Sequence, residues 1–151
     1  MDAGSAYREG AVRGASRVRL VIFLYEQAIQ DLRRGVLAME RGEIEIRTRH
    51  INHAVTVIGH LQGTLDHERG GEVVGNLERY YTLVRSRLID AQARVSPTIL
   101  HELIRDLLSV REAWLEVERA TEKSSPASPA VAGGDRETFT TKQAVTTDSK
   151  Y

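Results

Sequence analysis

Five histidines, His50, His53, His60, His67 and His101, are the side chains in this sequence whose type and spacing come nearest to chemistry. His50 and His53 share one helical face, and two imidazoles three residues apart hold a metal ion weakly. His53, His60 and His67 repeat at heptad spacing, but each step is about 10 Å along a helix axis, too long for a shared ion. His60 invites a phosphorelay reading, in which an exposed histidine on a helical bundle accepts a phosphoryl group. Such modules place lysine and then glycine just after the histidine, where they accommodate the phosphoryl group and its charge. Here Leu61, Gln62 and Gly63 follow instead. Histidine phosphotransfer or metal binding through these residues of a second helix is therefore the enzyme-like alternative. A row of boundary histidines on a polar helix edge is the plainer account.

Other chemistries are excluded more firmly. A di-iron bundle needs Glu-x-x-His on two helices so that both ligands face the metals, and no Asp or Glu here is followed by His three positions later. The absence of cysteine removes disulfides, zinc-thiolate sites, iron–sulfur clusters and thiol nucleophiles. Gly70-Gly71 is not followed by Lys-Ser/Thr, so it is no phosphate loop, and no Gly-x-Ser-x-Gly elbow occurs. Lys and Arg total 21 against 21 Asp and Glu, so the chain lacks the basic excess that releases counterions from nucleic acid. No apolar run approaches the roughly 18 residues of a membrane span. The opening MDAGSAYREGAVRG has no apolar signal region. No enzyme activity, cofactor, metal, nucleic acid or membrane insertion is expected, and the cytoplasm is the default location.

The elements that would position any site are four helices. Val21, Leu24, Ala28, Leu32, Gly35 and Met39 recur at three- and four-residue steps after a candidate N-cap at Ser16, and Gly42 stands where a left-handed C-terminal cap belongs. Ile51, Ala54, Val55, Ile58, Leu61 and Leu65 form a second stripe, closed by Gly70-Gly71. A third carries Val74, Leu77, Tyr81, Val84, Leu88 and Ala91, and Ser96-Pro97 then supplies an N-cap with proline at the first helical position. The fourth carries Leu100, Leu103, Leu107, Val110, Trp114 and Val117, with Trp114 expected in the core. Segments of about 22 to 26 residues joined by short connections predict an all-α, antiparallel up-down four-helix bundle. Residues 1–15 are expected to be a flexible lead-in and residues 16–120 the bundle. Residues 121–151, with six Thr, four Ser and two Pro, are expected to be a disordered tail.

A bundle helix needs roughly a 100° stripe for its core, and several segments exceed it. The surplus lies around Val18 to Tyr25 on helix 1, at Val57 on helix 2, and at Val73, Tyr80 and Leu83 on helix 3. Such area suits a groove for an amphipathic helix from a partner, or a second copy of the chain when no partner is bound.

Four pieces of the sequence carry a resemblance to a known family. They are Ala6-Tyr7; Ala15-Ser16 followed by Leu20-Val21-Ile22-Phe23-Leu24-Tyr25-Glu26; Leu61, Leu65-Asp66 and Gly70 to Leu77 with Tyr80-Tyr81 beyond; and Val110-Arg111-Glu112-Ala113-Trp114. In this order and spacing, over about 110 residues that exclude the tail, the chain resembles the flagellar secretion chaperones, the FliS family. It departs from the family pattern at Arg17, where proline commonly follows the serine, and at Leu83, where an aromatic is frequent. The resemblance implies a non-enzymatic chaperone of the bacterial cytosol. Such a chaperone binds the C-terminal segment of flagellin, prevents premature polymerisation, and assists delivery to a component of the type III export gate. It makes Ile51, Ile58, Leu61, Leu65, Leu77, Tyr80, Tyr81 and Leu88 the neighbourhood of the flagellin-binding groove. Tyr7 becomes the candidate for capping the empty groove or docking at the gate.

Overall fold

The computed structural model describes residues 3–124. Its elements are α1 (Ala3–Arg41), α2 (Ile44–Gly63), α3 (Gly71–Arg94) and α4 (Pro97–Ser124). No strand occurs among the described residues, and the architecture is the all-helical four-helix bundle expected.

The helix ends follow from local chemistry. Gly42 takes φ of 70° after α1, a conformation open to glycine because no Cβ clashes. The Ser96 hydroxyl accepts a hydrogen bond from the Ile99 backbone N–H at 3.2 Å, capping α4 as the Ser-Pro pair predicts. Two boundaries differ from expectation. α1 begins at Ala3 rather than near Ser16, since the Ala, Arg and Glu residues around Gly10 and Gly14 are good helix formers. α2 stops at Gly63, short of Glu68, because the Asp66 carboxylate accepts the backbone N–H groups of Glu68 and Arg69 (3.2 Å each) and so favours a turn over continued helix. The expected tail is helical over residues 121–124, and its remainder lies outside the described residues.

The chain divides into two compact units. One combines Met1–Ser16 with Glu116–Tyr151; its described parts are helical and mostly exposed. The other, Arg17–Leu115, holds the core.

Within Arg17–Leu115, polar contacts fix the order of neighbours around the bundle. Asp31 of α1 meets His50 and His53 of α2. At one end of the α2–α3 seam, Arg47 donates to the Gln92 side-chain oxygen; at the other, Gln62 donates to Glu78 and Thr82. Arg87 of α3 pairs with Glu102 of α4 at 2.7 Å, and Arg111 of α4 with Glu26 of α1 at 2.7 Å. Early residues of α2 therefore face late residues of α3, which makes that pair antiparallel. The interior is filled by Leu32, Ile51, Ile58, Leu61, Leu88, Leu100, Leu103 and Leu107, all essentially inaccessible to solvent. Val57, read from the sequence as surplus surface, is buried at 3% exposure. The one buried charged side chain among the described residues is Asp31.

Candidate functional site

At one end of the Arg17–Leu115 unit, four segments leave an apolar cleft of about 200 Å³. α1 contributes Val18 and Val21, α3 contributes Val73, Val74 and Leu77, and Leu65 and Trp114 complete the lining. Arg17 and Asp66 supply its charged groups.

The α2–α3 turn shapes this cleft, and its sequence explains how. Asp66 holds the turn twice: its carboxylate accepts from Glu68 and Arg69, and its backbone oxygen accepts the Gly70 N–H at 2.9 Å. A side chain at Gly70 has no room, because a Cβ there would stand 1.7 Å from Cγ2 of Val74 and 2.9 Å from the Asp66 oxygen. Gly71 takes φ of 59°, turning the chain into α3. Close approach at Gly70 and positive φ at Gly71 together bring Val73 and Val74 to the cleft. Val73 is 65% exposed, so it extends the apolar surface of the cleft into solvent.

Behind the cleft lies a tyrosine cluster. The hydroxyls of Tyr25 and Tyr81 hydrogen-bond at 2.8 Å, and the Tyr80 ring leans on Tyr81 with centroids 5.7 Å apart. Burial pushes all three phenols above their ordinary range; the neighbouring Tyr81 adds to the rise at Tyr25, and Asp106 to that at Tyr80. The Tyr80 hydroxyl is buried and has no hydrogen-bond partner among the described residues.

The eight groove candidates separate by burial. Ile51, Ile58, Leu61, Tyr81 and Leu88 are core residues with at most 1% exposure. Leu65, Leu77 and Tyr80 are partly buried against that core, and Leu65 and Leu77 line the cleft. Tyr7 falls in α1, but its side chain lies outside the described residues. The surplus expected around Val18 to Tyr25 includes the cleft residues Val18 and Val21, whereas Asp66 was not singled out for the cleft and Trp114 was expected in the core. Trp114 instead packs on the core with one side and lines the cleft with another.

The histidines form no comparable site. His50 and His53 turn Nδ1 toward the Asp31 carboxylate (3.1 Å for His50), His60 is exposed, and His67 stands 3.5 Å from Glu78. Among the described residues no group of three or more His, Cys, Asp or Glu side chains could hold a metal ion.

A family model described as flagellar protein FliS matches residues 1–121. This chain belongs to the FliS family. A flagellar secretion chaperone, FliSB, of Pseudomonas aeruginosa is 36% identical over 106 residues, covering 70% of this chain and 84% of the relative. The flagellar secretion chaperone FliS of Salmonella typhimurium is 31% identical over 110 residues, covering 72% and 82%. That of Campylobacter jejuni is 30% identical over 113 residues, covering 75% and 88%. The FliS match covers α1, α2, α3 and α4 as far as residue 121, so the cleft and the turn that builds it lie within the shared region.

Proposed function

We propose that this FliS-family chain is a non-enzymatic chaperone of flagellar secretion. It binds the C-terminal region of flagellin in the bacterial cytosol, keeps it from polymerising, and assists its delivery to the export gate. Membership of the family is the observation that carries the reading, and the apolar cleft supports it physically. An amphipathic segment presents apolar side chains at i, i+3, i+4 and i+7, and a cleft lined by Val73, Leu77, Leu65 and Trp114 accepts such a row. Ordering a disordered client subtracts several kcal/mol from the gross interaction, so the contact must extend beyond one cleft of this size along neighbouring surface. Among the described residues no helix is long and apolar enough to cross a membrane, which fits a client taken up from solution.

Of the groove candidates, Leu65 and Leu77 are those positioned to touch the client directly. Ile51, Ile58, Leu61, Tyr81 and Leu88 serve by holding the bundle rigid behind it. Tyr7 remains the candidate cap or gate-docking residue.

The test uses the single tryptophan. Titrating the full chain with the flagellin C-terminal segment should shift Trp114 emission and saturate. Val73→Glu, at an exposed position, should weaken binding at least about tenfold by desolvating a charge against apolar surface, with the helical circular dichroism unchanged. A folded chain that neither shifts nor co-purifies with the segment would refute the function. Binding that ignores Val73→Glu would move the site elsewhere on the bundle.

A further inference from the structure

The cleft carries two charged side chains, and only one of them is already committed. The Asp66 carboxylate accepts the backbone N–H groups of Glu68 and Arg69, so its charge serves the turn. Arg17, at the rim beside Val18 and Val21, makes no hydrogen bond or ion pair among the described residues. It stands four residues before Val21 in α1, a spacing that puts both side chains on one helix face, here the face that lines the cleft. Arg17 is exposed, and water satisfies its guanidinium only while the cleft is empty. It is also the position where this sequence has arginine in place of the proline common in its family, so the charge belongs to this chain rather than to the shared pattern.

We propose that Arg17 determines the specificity of the cleft by pairing with a side-chain carboxylate, Asp or Glu, that the client's amphipathic segment carries beside its apolar row. The inference rests on the chaperone function proposed above. A client laid over Val73, Leu77 and Trp114 strips water from the neighbouring guanidinium, and a charge desolvated without a partner is costly. A carboxylate turns that cost into attraction. The guanidinium fork meets its two oxygens in two parallel hydrogen bonds, and apolar surroundings strengthen the pair over its value in open water. On a helical client the carboxylate stands three or four residues from an apolar side chain that enters the cleft. A lysine or arginine there is repelled, so Arg17 discriminates among segments that offer the same apolar row.

A chain end also carries a carboxylate, but the cleft favours a side chain. With about 200 Å³ it seats only a few side chains, so the segment runs on past it along neighbouring surface and its terminus lies beyond. Asp66 does not stand in for the client group. No ion pair joins it to Arg17 among the described residues, and drawing it away would release the two N–H groups that hold the turn before Gly70.

Titration of the full chain with the flagellin C-terminal segment, followed by Trp114 emission, tests the pair. Arg17→Met keeps an apolar stem and drops the charge. It should weaken binding about tenfold at low salt and show a shallower salt dependence than the native chain, with the helical circular dichroism unchanged. Arg17→Lys should fall between the two, because a point charge lacks the fork. Asn or Gln is then placed at each Asp and Glu of the segment in turn. One such change should cost about tenfold with the native chain and less than about twofold with Arg17→Met. Amidating the segment's C-terminus should alter neither titration. Equal affinity and salt dependence for Arg17→Met and the native chain would overturn the pairing, as would the lack of any segment carboxylate coupled to Arg17. Loss of the coupling on amidation would overturn it too, by assigning the contact to the chain end. In all three outcomes Val73→Glu still blocks the cleft, whereas a segment that does not bind the native chain refutes the chaperone function and this pairing with it.

Discussion

The Tyr25 hydroxyl on α1 lies 2.8 Å from the Tyr81 hydroxyl on α3, in a core where both residues are at most 1% exposed. One phenol donates to the other, and Trp114 adds a second side-chain hydrogen bond at Tyr25. Tyr25→Phe leaves the Tyr81 hydroxyl buried without this partner, whereas Tyr81→Phe leaves Tyr25 its hydrogen bond with Trp114. Tyr25→Phe or Tyr81→Phe alone should therefore cost about 1–3 kcal/mol, and the double Phe variant less than the sum of the two. Urea unfolding of the four chains in the cycle measures this.

The same burial sets an alkaline limit. Tyr25, Tyr80 and Tyr81 keep their protons in the folded chain beyond the ordinary phenol value of 10.0. With the folded pKa raised, their stabilisation is complete below about pH 10 and is lost as pH rises further, because the unfolded chain releases protons that the folded chain retains. The thermal midpoint should fall between about pH 10 and 12. Tyrosinate absorbance from these three rings should appear together with loss of helix rather than before it. Tyrosinate signal from all five tyrosines while the helix signal is intact would contradict the shifts.

Asp31 is the polar contact that joins α1 to α2 inside a mostly apolar seam. Its carboxylate accepts from both His50 and His53, so Asp31→Ala strands two imidazole donors, one of them mostly buried. A loss of about 1–3 kcal/mol is expected. The client affinity should be unchanged, since the cleft lies among other residues. Chemical unfolding and the Trp114 titration separate the two effects.

Val95 ends α3 with φ of 51°, a β-branched residue in the left-handed region. That conformation costs an L-residue roughly 1–2 kcal/mol, which glycine avoids while losing part of the gain to its looser unfolded chain. Val95 is 44% exposed and buries little. Val95→Gly should therefore stabilise the bundle by up to about 1 kcal/mol, seen as a higher urea midpoint with an unchanged slope.

Gly70→Ala should act in the opposite sense and at two levels. The added Cβ would overlap Val74, so the turn or the start of α3 must shift, at about 1–3 kcal/mol. Client affinity should fall as well, because Val73 and Val74 move with it. Gly63→Ala, a position with open space around a Cβ, is the matched control and should leave binding intact.

How much of this is legible in the sequence depends on range. Punctuation is local: Gly42 and Ser96-Pro97 act through their own backbone and end or start helices where expected. The stripes through Leu32, Ile58, Leu88 and Leu107 are also local in origin, and all four side chains are buried. The side of a broad stripe that meets solvent is a tertiary matter. Val57 and Val73 read alike in sequence, yet one is 3% and the other 65% exposed, because α2 is enclosed at Val57 while α3 has only just begun at Val73. Trp114 shares a stripe with Leu107 but lies nearer the open end, so it borders the cleft. The Asp31 contact depends on residues 19 and 22 positions away in sequence, and no pattern within α1 announces it.

The Asp66–Gly71 turn both ends one helix and shapes the cleft that the next begins to line. A client seated there is therefore also a folding ligand. At a free concentration a hundred times its Kd, it would add about 2.7 kcal/mol to the stability of the Arg17–Leu115 unit. The gain should first appear as slowed amide exchange at Gly70, whose N–H is held by Asp66. Cargo and carrier would then protect one another from proteolysis until the cargo departs, when the emptied carrier loses the extra protection.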